Sequence, residues 1–168
     1  MADANTAIYI TLQNEGGFQA DRNDRANWTG GQVGVGELVG TKYGITALDM
    51  PGADIMSITQ EQATEYYLDH YWKPLYSQIN SQAIANKLFD LGVLFGVGEA
   101  VKCLQLALKL TQVDGIFGPN TLQAANEVDP AQLLASFKVQ MAKRAMGVAQ
   151  ENPADAAFMV GWLRRINS

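Results

Sequence analysis

Glu15 is the residue of this chain whose setting points most directly to chemistry. Ile8, Leu12 and Glu15 fall at spacings of four and three, one face of a short helix over residues 5–15, and Gly16-Gly17 follow at once as a stop. An ionisable group that closes an apolar helical face is costly to bury in its charged form, and the negative end of the helix dipole disfavours a carboxylate there as well. A neutral carboxylic acid is the form that can protonate a glycosidic oxygen. The same pattern also fits a solvated glutamate at a frayed helix end, with the glycines acting only as a cap.

The elements that would hold such a group follow from periodicity and punctuation. Residues 18–46 are polar and glycine-rich, with a weak alternation around Val33 and Val35, and read as a loop with a small β-hairpin. Helix resumes after Thr59, where Thr59 and Gln62 form a capping box, and Pro74 marks its end. Asn86–Leu94 and Glu99–Leu110 are apolar at helical spacing, separated or bent by Gly92, Gly96 and Gly98, and read as the buried centre. An Asp114-Gly115 turn precedes Gly118-Pro119, with Pro119 placed to open another helix. Two more helices, over about 130–146 and about 153–166, complete the pattern, the last opening at Asn152-Pro153. No repeat, low-complexity tract or linker interrupts 1–168, so the chain reads as one compact, mainly α domain.

Composition narrows the function classes. A net charge of −5 argues against a nucleic-acid partner, which would call for a basic face, and against stable membrane binding. Cys103 is the single cysteine, which excludes an intrachain disulfide, and its apolar surroundings suit packing. With one histidine, a Cys-His dyad or a His-rich metal site has little to draw on, and neither metal nor organic cofactor is expected. The start, MADANTAIYITLQ, lacks the basic and apolar regions of a signal peptide, which leads to the expectation of a soluble cytoplasmic product.

Glu15-Gly16-Gly17-Phe18, then Asp24, then Thr41-Lys42-Tyr43-Gly44-Ile45-Thr46 resemble the signature of the glycoside hydrolase 108 family of phage and bacterial muramidases. Tyr71-Trp72, Phe89-Asp90, Leu104-Gln105, Asp114 to Pro119 with Thr121, Phe158, Gly161-Trp162 and Arg164-Arg165 continue the likeness into the predicted peptidoglycan-binding region that usually follows. The ordered series spans almost the whole chain. It departs from the family in two places: an apparent insertion with Trp28, Gly30-Gly31 and Glu37 separates Asp24 from Thr41, and Val93-Leu94-Phe95-Gly96 stands where an asparagine is common.

The resemblance implies a lysozyme-like helical fold with a small loop or β-hairpin lobe, a catalytic half over 5–85 and a helical peptidoglycan-binding-like half over 86–168. It implies cleavage of the β-1,4 bond between N-acetylmuramic acid and N-acetylglucosamine, with Glu15 as the acid. Glycosidases usually add a second carboxylate. Asp24 resembles the second acidic residue of phage-type lysozymes, although a turn aspartate in Asp21-Arg22-Asn23-Asp24 fits equally, and Glu37 is a third candidate. Thr41 is a candidate to hold water or a sugar hydroxyl, and Tyr43 to stack on or bond a sugar ring, with a core role open for Tyr43. Tyr66, Tyr67, Tyr71 and Trp72 suit a core better than a cleft. His70 is expected to be exposed and outside the chemistry, and Asp90 to meet backbone donors or substrate. As an endolysin, the protein would be a monomer that waits in the cytoplasm for a holin-like pore and then acts on glycan strands in the periplasm. A lytic transglycosylase, a non-catalytic wall-binding or secretion-assisting protein and a plain interaction domain are the other readings.

Overall fold

Helix α1 (Ala4–Glu15) buries Ala7, Ile8, Thr11 and Leu12, a spacing that gives one continuous face, and Glu15 extends that face at the last turn. Asp3 closes the first turn by accepting from the Thr6 amide at 2.8 Å and the Thr6 hydroxyl at 2.6 Å. The computed structural model describes all 168 residues, which fall into two compact units. One is Tyr9–His70; the other joins Met1–Ile8 to Tyr71–Ser168. Helices dominate the second of these, the first is largely turns between the end of α1 and a later helix, and the protein as a whole is mainly α, with one two-stranded sheet.

In the Tyr9–His70 unit, the chain after Glu15 forms turns fastened by two antiparallel bridges, Gln19 to Thr41 and Trp28 to Leu38. The alternation around Val33 and Val35 does not form strands. Gly34 and Gly36, at φ 80° and 79°, turn the chain there and leave both valines exposed. The sheet lies further on, as β1 (Thr41–Lys42) and β2 (Ile45–Thr46), with Thr41 opposite Thr46 and Lys42 opposite Ile45. Helix α2 (Gln60–Tyr71) opens on the expected capping box: the Thr59 amide donates to Gln62 Oε1 at 2.9 Å and the Gln62 amide to Thr59 Oγ1 at 3.3 Å. Its buried residues, Ala63 and Tyr67, are one turn apart.

The other unit contains α3 (Gln82–Phe95), α4 (Val97–Ala107), α5 (Pro119–Glu127), α6 (Pro130–Glu151) and α7 (Met159–Asn167). Gly96 marks the break between α3 and α4, whereas Gly92 and Gly98 lie inside helices. From Ile84 to Gly92 all of α3 but Asn86 is buried, so it is the central helix of its unit. Leu133, Phe137, Met141 and Ala145 form a stripe of every fourth residue on α6, which packs on α3, α4 and α7. Tyr76 and Phe117 meet edge to face at 4.9 Å in the same core. Cys103 is buried, and desolvation pushes its thiol up to about 11, consistent with packing. Pro153–Phe158 is a 3₁₀ segment, and α7 proper starts only at Met159. None of residues 153–158 is buried, so no packing rewards a regular α-helix there.

Charged groups tie these helices together. Arg165 of α7 donates through Nε to Asp90 Oδ1 of α3 at 3.0 Å, and Lys87 Nζ donates to the Arg165 carbonyl at 2.8 Å. Lys87 and Asp90 are both buried, so removing one partner leaves charge without water. Arg165→Ala is expected to lower stability by about 3 kcal/mol in chemical denaturation; a loss within experimental error would show that the cluster does not hold α7. On α4, hydrogen bonding from Lys102, aided by Arg144, holds the Glu99 carboxyl below its ordinary value. A depressed carboxyl stabilises the fold above its unfolded value and loses that contribution as pH falls through the folded one. Glu99→Gln should therefore make the denaturation midpoint less sensitive to pH below about 4.5, and an unaltered acid slope would contradict this.

Candidate active site

The β1–β2 connection is the feature that positions Glu15. Its two central residues, Tyr43 and Gly44, have φ of 53° and 73°, as a two-residue type I′ turn requires. A Cβ on Gly44 would lie 2.7 Å from Glu15 Oε2 and 2.7 Å from the Tyr67 hydroxyl oxygen. A side chain there would have to displace the Glu15 carboxyl group or the Tyr67 hydroxyl, on a backbone whose positive φ already disfavours it, so the turn runs close beside the Glu15 carboxyl group. Tyr67 donates its hydroxyl to the Tyr43 carbonyl at 2.8 Å, which fastens the turn to α2. The left-handed backbone at Tyr43 costs roughly 1 kcal/mol for a residue with a Cβ, and the Tyr67 bond offsets it. Lys42 fixes the strand below by donating to the Met56 carbonyl at 2.8 Å. Glu15 itself is half-buried, so the carboxyl group is held without being sealed off.

A second device organises the loop between α1 and β1. Asn27 is fully buried and bonds in four directions: its Oδ1 accepts from the Thr41 hydroxyl at 2.6 Å and from Gln19 Nε2 at 3.2 Å, while Nδ2 donates to Gln19 Oε1 and to the Asp21 carbonyl, both at 2.9 Å. Gln19 and Thr41 also exchange two backbone bonds of 2.9 and 2.8 Å. The backbone carbonyl of Asn27 accepts from the amides of Val39 and Gly40. One side-chain amide thus closes a loop whose ends lie 14 residues apart in sequence.

Asp24 belongs to this network. Its Oδ1 caps the 3₁₀ turn Arg25–Asn27 by accepting from the Ala26 amide at 2.9 Å, and Oδ2 faces Gln19 Nε2 at 3.5 Å. Thr41 gives its hydroxyl proton to Asn27 and retains acceptor capacity. Tyr43 is half-buried beside Lys42, whose ammonium lies 5.6 Å from the ring centre. Glu37 is exposed, in a turn where its amide and carbonyl both pair with Thr29. His70 is exposed and stacks on Tyr66 at 4.1 Å. Sequence reasoning did not single out Gln19 or Asn27, and no signal marks one amide among many in a polar stretch. Gly44 carried a signal, because an aromatic-glycine pair between two threonines suits a tight turn.

A family model described as glycosyl hydrolase 108 matches residues 8–96, and another described as a predicted peptidoglycan domain matches residues 99–167. Among solved structures, SagA of Brucella abortus aligns with a TM-score of 0.73 at 20% identity, covering 98% of this chain and 89% of that one, a likeness of fold. No curated protein matches.

Gly44→Ala tests the steric argument. It should cost about 2 kcal/mol in stability, because alanine resists positive φ and its methyl group has no room, and it should shift the carboxyl resonance of Glu15. An unchanged denaturation midpoint with an unmoved Glu15 signal would show that the contact is not tight.

Proposed function

The chain belongs to the glycosyl hydrolase 108 family, and from that premise we propose that it is an N-acetylmuramidase that cuts the β-1,4 bond between N-acetylmuramic acid and N-acetylglucosamine, with Glu15 as the general acid. At the coarser level it is a glycoside hydrolase acting on peptidoglycan. The observation that carries the choice of Glu15 is the closeness of the Tyr43-Gly44 turn, which Tyr67 fastens, to the Glu15 carboxyl group. A general acid works only when held within hydrogen-bond reach of the oxygen it protonates. A backbone turn, fastened by a buried tyrosine, borders the carboxyl group at the helix end and limits where it can move.

In this mechanism Glu15 passes its proton to the glycosidic oxygen as the bond to C1 of the muramic acid breaks. Positive charge develops at that carbon, and a water molecule adds its hydroxyl to C1 while its remaining proton passes to a second carboxylate. Asp24 fills that second role. Thr41 orients the water by accepting one of its hydrogen bonds, the orientation its bond to Asn27 leaves available. Tyr43 offers its ring beside the sugar. The task is lysis of a bacterial wall by a phage-encoded monomer, released from the cytoplasm by a holin-like pore.

Glu15→Gln keeps the shape and removes the proton. The rate of turbidity loss of purified sacculi should fall roughly a hundredfold or more, with an unchanged circular dichroism spectrum. Full activity in the folded variant would place the acid elsewhere.

A further inference from the structure

In the unit that holds α3 to α7, the chain between α4 and α5 borders a cavity of about 280 Å³. Its wall is organised by Gln105, a side chain only 2% exposed. Gln105 Nε2 donates to Asp114 Oδ1 at 2.8 Å and to the Ile116 carbonyl at 3.1 Å, with Thr121 Oγ1 sharing one of its hydrogens at 3.3 Å, and Oε1 accepts from the Gly115 amide at 3.0 Å. A buried amide satisfied on both ends fixes the surrounding backbone, so this cavity is a formed feature of the fold. It explains the run from Asp114 to Thr121 that the reading around Glu15 leaves unused.

The lining is polar, with Thr111, Gln112, Asn120 and Thr121 beside the apolar Ile116, and Asp114 is its one ionisable side chain. Donors from Gln105 and the Ile116 amide hold the Asp114 carboxyl below its ordinary value, so the group is an anion at neutral pH. Asp114 Oδ1 already accepts two bonds, whereas Oδ2 accepts one, from Gln112 Nε2 at 2.9 Å, and keeps a lone pair. No cation lines the cavity to balance this charge. The complementary ligand is therefore a cationic donor flanked by amides, and the volume lies just below the usual range for small-molecule pockets. N-acetylated glycan strands carry no cation. In peptidoglycan, an ammonium within a peptide is found where the diamino acid of a stem has not been cross-linked.

We propose that this cavity binds the free ammonium of an uncross-linked diamino acid in the stem peptide, with Asp114 Oδ2 as counter-charge and Gln112 and Asn120 on the neighbouring amides. The proposal rests on the peptidoglycan reading of the chain but not on Glu15. It would direct the enzyme to sparsely cross-linked wall.

The test pellets Glu15→Gln protein with purified sacculi and with sacculi whose free amines have been acetylated. Acetylation should weaken binding at least tenfold, and Asp114→Asn in the same background should bind both preparations equally and weakly. Equal binding of the Asp114-containing protein to the two preparations overturns the proposal without any substitution in the cavity. A second measurement titrates the protein with the soluble tripeptide L-Ala-γ-D-Glu-diaminopimelate: amide resonances of Gly115, Ile116 and Asn120 should move, and movement only elsewhere overturns the assignment. If Glu15 were not the acid, Glu15→Gln would leave the turbidity loss of the wild type intact whatever the binding result, so the two failures are separable.

Discussion

The turn at Tyr43-Gly44 brings backbone close to a carboxyl group and a tyrosine hydroxyl, at a positive φ that favours a residue without a Cβ. Much of the Tyr9–His70 unit serves this contact. Two strands of two residues each make a weak sheet, too short to hold a turn by themselves. The turn is therefore anchored from outside, by Tyr67 on α2, by the Lys42 bond to Met56, and by the bridge from Thr41 to Gln19. Helix α1 supplies the other side of the contact, since Glu15 stands in its last turn on the face that Leu12 also occupies.

Each unit also relies on one buried side-chain amide. Asn27 closes the loop that carries Asp24 and Thr41, and Gln105 closes the loop that carries Asp114 and Thr121. An amide suits both places because it donates and accepts at once and carries no charge to desolvate. Loops rich in glycine and short polar residues have little apolar surface to bury, so such a hub replaces a hydrophobic core. The Lys87, Asp90 and Arg165 cluster does comparable work where α7 meets α3, with charge in place of neutral polarity.

Features governed by local spacing were legible in the sequence. The end of α1 at Glu15, the Thr59 and Gln62 box and Pro119 at the start of α5 each follow from residues within one or two turns. The family resemblance supplied the mainly α, lysozyme-like fold and pointed to Glu15. What escaped was set by closure over distance. Asn27 meets Thr41 across 14 positions and Arg165 meets Asp90 across 75, and no periodicity encodes either pairing. The small hairpin expected within 18–46 is present at 41–46, whereas the alternation around Val33 and Val35 forms no strand, because positive φ at Gly34 and Gly36 overrides it there. Tyr43 at positive φ was invisible too, since the strain is tolerated only once Tyr67 is in place.

The central claim, hydrolysis with Glu15 as the acid at the muramic acid carbon, is tested most directly by digesting purified sacculi in ¹⁸O-enriched water and analysing the released fragments by mass spectrometry. The account predicts reducing-end N-acetylmuramic acid bearing one heavy oxygen at C1, released by wild type and not by Glu15→Gln. Fragments ending in 1,6-anhydro-muramic acid, or heavy oxygen at N-acetylglucosamine ends, would contradict it.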